Sequence, residues 1–165
     1  MVERTYTPLF HEILEGVSKA KTKGKKIELL RSENSDALRM VIKSSFDPNI
    51  EWMLPEGEVP YIANDTPEGV EHTVLAQEAK KLYHYIKGGN NELSSTKREM
   101  MFVQLLEGLH QKEAELLVAA KDKKLHQKYK GLSSNVVKEA FKWDEAYMAL
   151  PDGSGNRPGQ DWRKL

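Results

Sequence analysis

Apolar residues recur along this chain at three- and four-residue intervals, separated by short polar turns. Phe10, Ile13, Leu14 and Val17 begin the series and predict a first helix, with Gly16 weakening its end. Thr22 can cap a second helix whose inner face holds Ile27 and Leu30. Asn34 or Ser35 can cap a third, with Leu38, Val41, Ile42 and Phe46 on one side. Asp47-Pro48 ends it, because proline drives the preceding residue out of the helical region.

The next stretch, "DPNIEWMLPEGEVPYIANDTPEG", has four prolines and no helical period. A connection of this length is unusual in a compact domain unless it packs on the body or binds a partner. Trp52, Met53, Leu54, Tyr61 and Ile62 predict that it packs. Thr66-Pro67-Glu68 then reads as the start of a fourth helix, with Leu75, Ala79, Leu82 and Ile86 inside and Gly88-Gly89-Asn90 at its end. Thr96 and Glu99 have capping-box spacing for a fifth helix carrying Met101, Phe102, Leu105, Leu106 and Leu109, which Gly108 breaks. A sixth carries Ala114, Leu117, Val118 and Ala120. After Gly131, Ser133 or Ser134 caps a seventh with Val136, Val137, Ala140 and Phe141. No run alternates as a strand would. The predicted class is all-α: a single compact domain of about seven helices over residues 1–150. A Gly- and Pro-rich tail over 151–165, containing Trp162, is expected to be flexible.

Composition narrows the chemistry. The 165 residues suffice for a real core, and no stretch approaches the ~20 apolar residues of a membrane span. The opening "MVERTYTPLF" does not read as a signal peptide. There is no cysteine, hence no disulfide, thiolate metal site or thiol nucleophile. His11, His72, His84, His110 and His126 are scattered and form no paired ligand motif. "PDGSGNRPGQDW" imitates a calcium loop at Asp152, Ser154 and Asn156. It then puts Arg157 where glycine is needed and Arg163 where a bidentate acid is needed. Phosphate-binding glycine loops and nucleophile elbows are absent. These readings point away from an enzyme, a metal or a cofactor.

Charge is balanced overall, with 25 basic and 25 acidic residues, but unevenly spread. Between Lys43 and Lys80 there are eight acids and no lysine or arginine. Lysines gather at two turns. "KAKTKGKK" holds Lys19, Lys21, Lys23, Lys25 and Lys26. "KDKKLHQKYKGLSSN" holds Lys121, Lys123, Lys124, Lys128 and Lys130, followed by Gly131, Ser133, Ser134 and Asn135. Helix N-terminal amides beside lysines make good phosphate sites. Lysines also favour helix C-termini and exposed turns with no ligand at all. From the residues alone, both readings stand.

A resemblance bears on that choice. "FHEILEGVSKAKTKGKKIELLRSENSDALRMVIKSSFDPNIEWMLP", "EHTVLAQEAKKLYHYIKGGN", "LLEGLHQKEAELLVAAKDKKL" and "YKGLSSNVVKEAF" resemble an uncharacterised family of small proteins from T-even-like phages and cyanophages. That family is in turn similar to the helical N-terminal DNA-binding domain of phage ATP-dependent DNA ligases. The similarity lies in the order of a Lys-rich turn, "KKIELL", a third helix, and a basic turn leading to a serine-capped "NVVKEAF" helix. It implies that the second basic turn approaches a DNA backbone. "HQKYK" departs from the pattern as extra residues in that turn. The K-x-D-G nucleophile of a ligase is missing: the one Asp-Gly pair, Asp152-Gly153, has Leu150 at the lysine position.

Two functions follow as expectations. In the first, the chain is a non-catalytic phage accessory protein that holds duplex or nicked DNA through both basic turns. In the second it is an interaction adaptor on phage or host replication or transcription machinery, or a small virion component. The second would use Trp52, Tyr61 and Trp162 and bind no DNA. The expected location is the cytoplasm of the infected host, with the virion as the other option, and no membrane.

Overall fold

Hydroxyl caps start four of the helices. In the computed structural model, which describes residues 8–48, 50–62 and 73–141, Thr22 Oγ1 accepts the Lys25 amide and begins α2 (Lys23–Ser32). Ser35 does the same for α3 (Asp36–Phe46), Ser94 for α5 (Ser95–Gly108) and Ser133 for α8 (Ser134–Phe141). Each cap satisfies an amide that the first turn leaves unpaired. The remaining helices are α1 (Phe10–Lys19), α4 (Leu75–Glu78), α6 (Gln111–Lys121) and α7 (Leu125–Lys128), and α4 runs on as a 3-10 helix over Ala79–Tyr85. The described residues are thus all-helical, with eight α-helices and no strand. The only β-type pairing among them is an isolated antiparallel bridge, Trp52 to Ile86.

Helix α6 lies at the centre, against α1, α3, α5 and α7. It buries Glu113, Ala114, Leu116, Leu117, Ala120 and Lys121, which together form one broad face. A helix enclosed on several sides needs partners for any polar group it buries. Glu113 has them: its carboxylate accepts the Phe10 amide at 3.0 Å and the Leu75 amide at 3.1 Å. One buried acid therefore joins the N-termini of α1 and α4 to the central helix. Around this axis Leu14, Leu30, Leu38, Ile42, Leu106 and Leu125 are fully enclosed, and α2 closes one side by packing on α1 and α8.

Several local expectations change. Helix α1 continues three residues past Gly16, to Lys19. A Cβ on Gly16 would stand 3.0 Å from Leu29 Cδ2, so the glycine serves the close approach of α1 to α2. The fifth helix starts two residues before the expected capping box, at the Ser94 cap. Arg98 holds it there, buried and donating to the carbonyls of His84, Asn90 and Leu93. In the fourth helix Leu75, Ala79 and Leu82 are buried as expected, and Tyr85 joins them, three residues after Leu82, because Ala79–Tyr85 is a 3-10 helix. Ile86 is buried through the bridge instead. The proposed start at Thr66-Pro67-Glu68 lies outside the described residues. The "LHQK" of the second basic turn is itself a helical turn, α7, which raises the helix count.

Over residues 50–62 the Pro-rich segment lies on the body as a strap, with Leu54 and Tyr61 packed against the core as expected, whereas Met53 and Ile62 are exposed. Ile50 and Trp52 are buried. Trp52 donates its indole N–H to the Ser44 carbonyl at 3.0 Å and meets Phe102 edge-on at 6.3 Å. The backbone of the strap is held from α6 and α5. Lys121 Nζ donates to the carbonyls of Pro55 and Gly57, Asp122 accepts the Gly57 amide, and Glu107 accepts the Ile62 amide. No helix among the described residues is long and apolar enough to cross a membrane.

Candidate nucleic-acid interface

The first basic turn splits by orientation. Lys19, Lys21, Lys23 and Lys25 are exposed. Lys23 meets Glu139 at 3.2 Å. Lys26 turns inward, donating to the carbonyls of Val17 at 3.0 Å, Ser18 at 3.4 Å and Ala20. Those carbonyls lie at the end of α1, where intrahelical donors run out (Val17 O also accepts the Ala20 amide at 3.2 Å), so Lys26 is a cap for α1 and not a free cation.

The second turn divides in the same way. Helix α6 closes with two backbone bonds, Lys123 N–H to Ala120 O at 3.0 Å and Lys124 N–H to Ala119 O at 2.8 Å. This is a Schellman closure, with Lys123 at φ 61 where glycine is usual. Three lysines expected on DNA do other work. Lys121 is 4% exposed and bound to the strap and to Asp122 at 2.6 Å. Lys123 donates to the Asp47 carbonyl at 2.6 Å. Burial pulls its pKa down to about 8, against the opposing pull of Asp47 and Glu51. Lys128 is exposed but lies 3.6 Å from Glu115 and over the Tyr129 ring. Lys124 and Lys130 are exposed without an ion pair among the described residues, as are Lys19, Lys21 and Lys25.

The "HQKYK" stretch is anchored from within. Leu125, Tyr129 and Leu132 are buried, and burial raises the Tyr129 phenol well above its ordinary range, with Glu15, Glu115 and Glu113 adding to the shift. Ser133 is spent on its cap, while Ser134 and Asn135 stand exposed on the first turn of α8.

The two basic turns, more than a hundred residues apart, meet in space. Ser18 Oγ donates to the Lys130 carbonyl at 2.8 Å. Gly131, at φ +91, passes directly over Lys26, and a Cβ there would stand 2.9 Å from Lys26 Cε and Nζ. A shallow cleft of about 220 Å³ opens beside this contact, bordered by Glu15, Lys19, Lys112, Lys128 and Tyr129. Ser18 and Lys112 belong to this face and escaped the sequence reading, which looked for lysines adjacent along the chain. Arg31 supports the same end, donating to the carbonyls of Ala140 and Glu139 at the end of α8.

The aromatic residues expected to meet a protein partner divide similarly. Trp52 is core and unavailable to a partner. Tyr61 is half-buried, its phenol raised by burial and by Glu115. Trp162 and the tail lie outside the described residues. Among the described residues no three His, Asp or Glu side chains are grouped so as to hold a metal.

No curated protein and no solved structure matches this chain. A family model described as a family of unknown function, DUF6433, matches residues 13–127, which run from α1 through the strap and α6 into α7. The chain belongs to that family.

Proposed function

We propose that this protein is a non-catalytic module that holds the backbone of duplex or nicked DNA on the joined basic turns. The observation that carries the reading is the contact of Ser18 with Lys130. It sets two lysine-rich turns side by side and leaves Lys19, Lys21, Lys25, Lys124 and Lys130 exposed and without an ion pair among the described residues. Five exposed cations in two joined turns suit a phosphate backbone. Glu15, Glu115 and Glu139 interrupt that surface and favour a defined register over indiscriminate binding. The resemblance to a ligase DNA-binding domain supports the same end of the molecule. It extends the proposal to a phage accessory protein working in the cytoplasm of the infected host.

The test is fluorescence anisotropy with intact and nicked duplexes across a salt series. If each of the five lysines meets one phosphate, log K falls against log salt with a slope of about −4.5. Lys19→Glu with Lys21→Glu and Lys25→Glu lowers affinity at least tenfold with melting unchanged, as does Lys124→Glu with Lys130→Glu. Lys121→Glu instead lowers melting, because it strips the strap of its anchor. No binding to either duplex at about 50 mM salt ends the proposal.

A further inference from the structure

A cavity of about 600 Å³ lies away from the lysines proposed to hold DNA, between the strap and α5. That falls within the ~300–1,000 Å³ range of pockets that enclose most of a ligand. Phe102, 1% exposed, forms its floor. Leu54, Val59, Pro60, Met100 and Val103 form its walls, and Met100 is 58% exposed, unusual for a side chain of that size. The strap wall is fixed by Lys121, which also borders the groove, and by Asp122 and Glu107. Lys121 grips Pro55 and Gly57 from below, Asp122 grips the Gly57 amide, and Glu107 grips the Ile62 amide. A wall held in this way costs little ordering when something binds.

Charge identifies the occupant. Glu58 and Glu99 stand exposed on the lining, with no ion pair among the described residues. The one cation there, Lys121, is turned to Asp122 and the strap carbonyls. An apolar floor between two unpaired carboxylates repels phosphate and accepts an apolar segment with basic flanks. We propose that this groove docks a short segment of a partner protein, one that presents apolar side chains between lysine or arginine residues. A second copy of this chain fits less well. Its basic turns have Ile27, Leu125 and Tyr129 beside them, and all three are buried. This site is independent of the DNA reading, and either can fail without the other.

A random-peptide display selection on the full chain, with anisotropy on the enriched peptides, tests it. The expected result is a peptide family combining an apolar cluster with lysine or arginine. These peptides bind Met100→Glu at least tenfold more weakly. Glu58→Lys combined with Glu99→Lys, both at exposed positions, reverses the preference toward acid-flanked peptides. Melting curves confirm that the variants fold, and duplex binding, measured alongside, stays at the wild-type value. The proposal is overturned by a selection that enriches no family, or by enriched peptides that bind the double-lysine variant as well as the wild type. A wild-type dimer that Met100→Glu converts to monomer also overturns it, because the occupant is then a second copy.

Discussion

Glu113→Gln isolates what one buried charge contributes to this fold. The substitution keeps the shape of the side chain, so packing in α6 is undisturbed. The carboxylate accepts two amides, Phe10 at 3.0 Å and Leu75 at 3.1 Å. A carboxamide has one acceptor oxygen, and its NH₂ must then face the other amide donor to donor. Hydrogen bonds to a charged acceptor contribute about 1.5–3 kcal/mol each, and a neutral one about 1 kcal/mol. Losing one outright and weakening the other costs about 2–4 kcal/mol, to which each helix N-terminus adds a few tenths for the lost charge. For a chain of this size that lowers the melting temperature by about 4–16 °C. Urea unfolding measures the free energy, and amide exchange locates it. Phe10 and Leu75, protected in the wild type, exchange faster in the variant before other core amides do. If Glu113→Gln stays within about 0.5 kcal/mol of wild type, the carboxylate does not join the two helices, and the description of α6 as their anchor is wrong.

Three further outcomes follow from the same contacts. Gly131→Ala places a Cβ on Lys26 in a left-handed conformation, so it costs about 3 kcal/mol alone but only about 1–2 in a Lys26→Ala background; additive costs in the double-mutant cycle refute the packing of the two turns. Trp52→Ala costs about 3–5 kcal/mol by urea unfolding because the indole is core; a loss near zero would return Trp52 to the surface. His11 is buried and stacked on His110 at 5.0 Å. Burial lowers its pKa, assisted by His110 and Lys112 and opposed by Glu15 and Glu12. The unfolded chain therefore binds more protons below about pH 6.5. His11 leaves stability unaffected above that value and reduces it as the pH falls toward the folded pKa. In urea unfolding at a series of pH values, His11→Phe flattens that acid slope; an unchanged slope refutes the assignment.

The helical class and most of the helix starts were legible because they depend on local chemistry. A hydroxyl two or three residues ahead of an amide, or a leucine every third or fourth place, is visible in a short window: Thr22, Ser35 and Ser133 cap as expected, and Leu38, Val41 and Ile42 face inward. The fourth helix shows the limit of that method. A period of 3.6 and a period of three differ by only a residue or so over two turns. The sequence named Leu75, Ala79, Leu82 and Ile86, all of them buried, but missed Tyr85, which the 3-10 turn brings inward. The Pro-rich segment was expected to lie on the body, and over residues 50–62 Trp52, Leu54 and Tyr61 do pack while Met53 and Ile62 stay exposed. What held it was not visible, since Lys121, Asp122 and Glu107 reach it from distant helices.

The lysines draw the same line. The sequence determines where they cluster, since clustering is a property of neighbours along the chain. It does not determine which amines face water, because that depends on carbonyls and carboxylates brought from elsewhere. Lys26 is spent on the end of α1, Lys121 on the strap and Lys123 on Asp47, while Lys19, Lys21, Lys25, Lys124 and Lys130 remain exposed. The joining of the two turns through Ser18 and Lys130, and the buried carboxylate of Glu113 between two helix ends, are decided by tertiary packing alone. Each rests on a partner chosen by the approach of whole helices, and no local pattern of residue types encodes that approach.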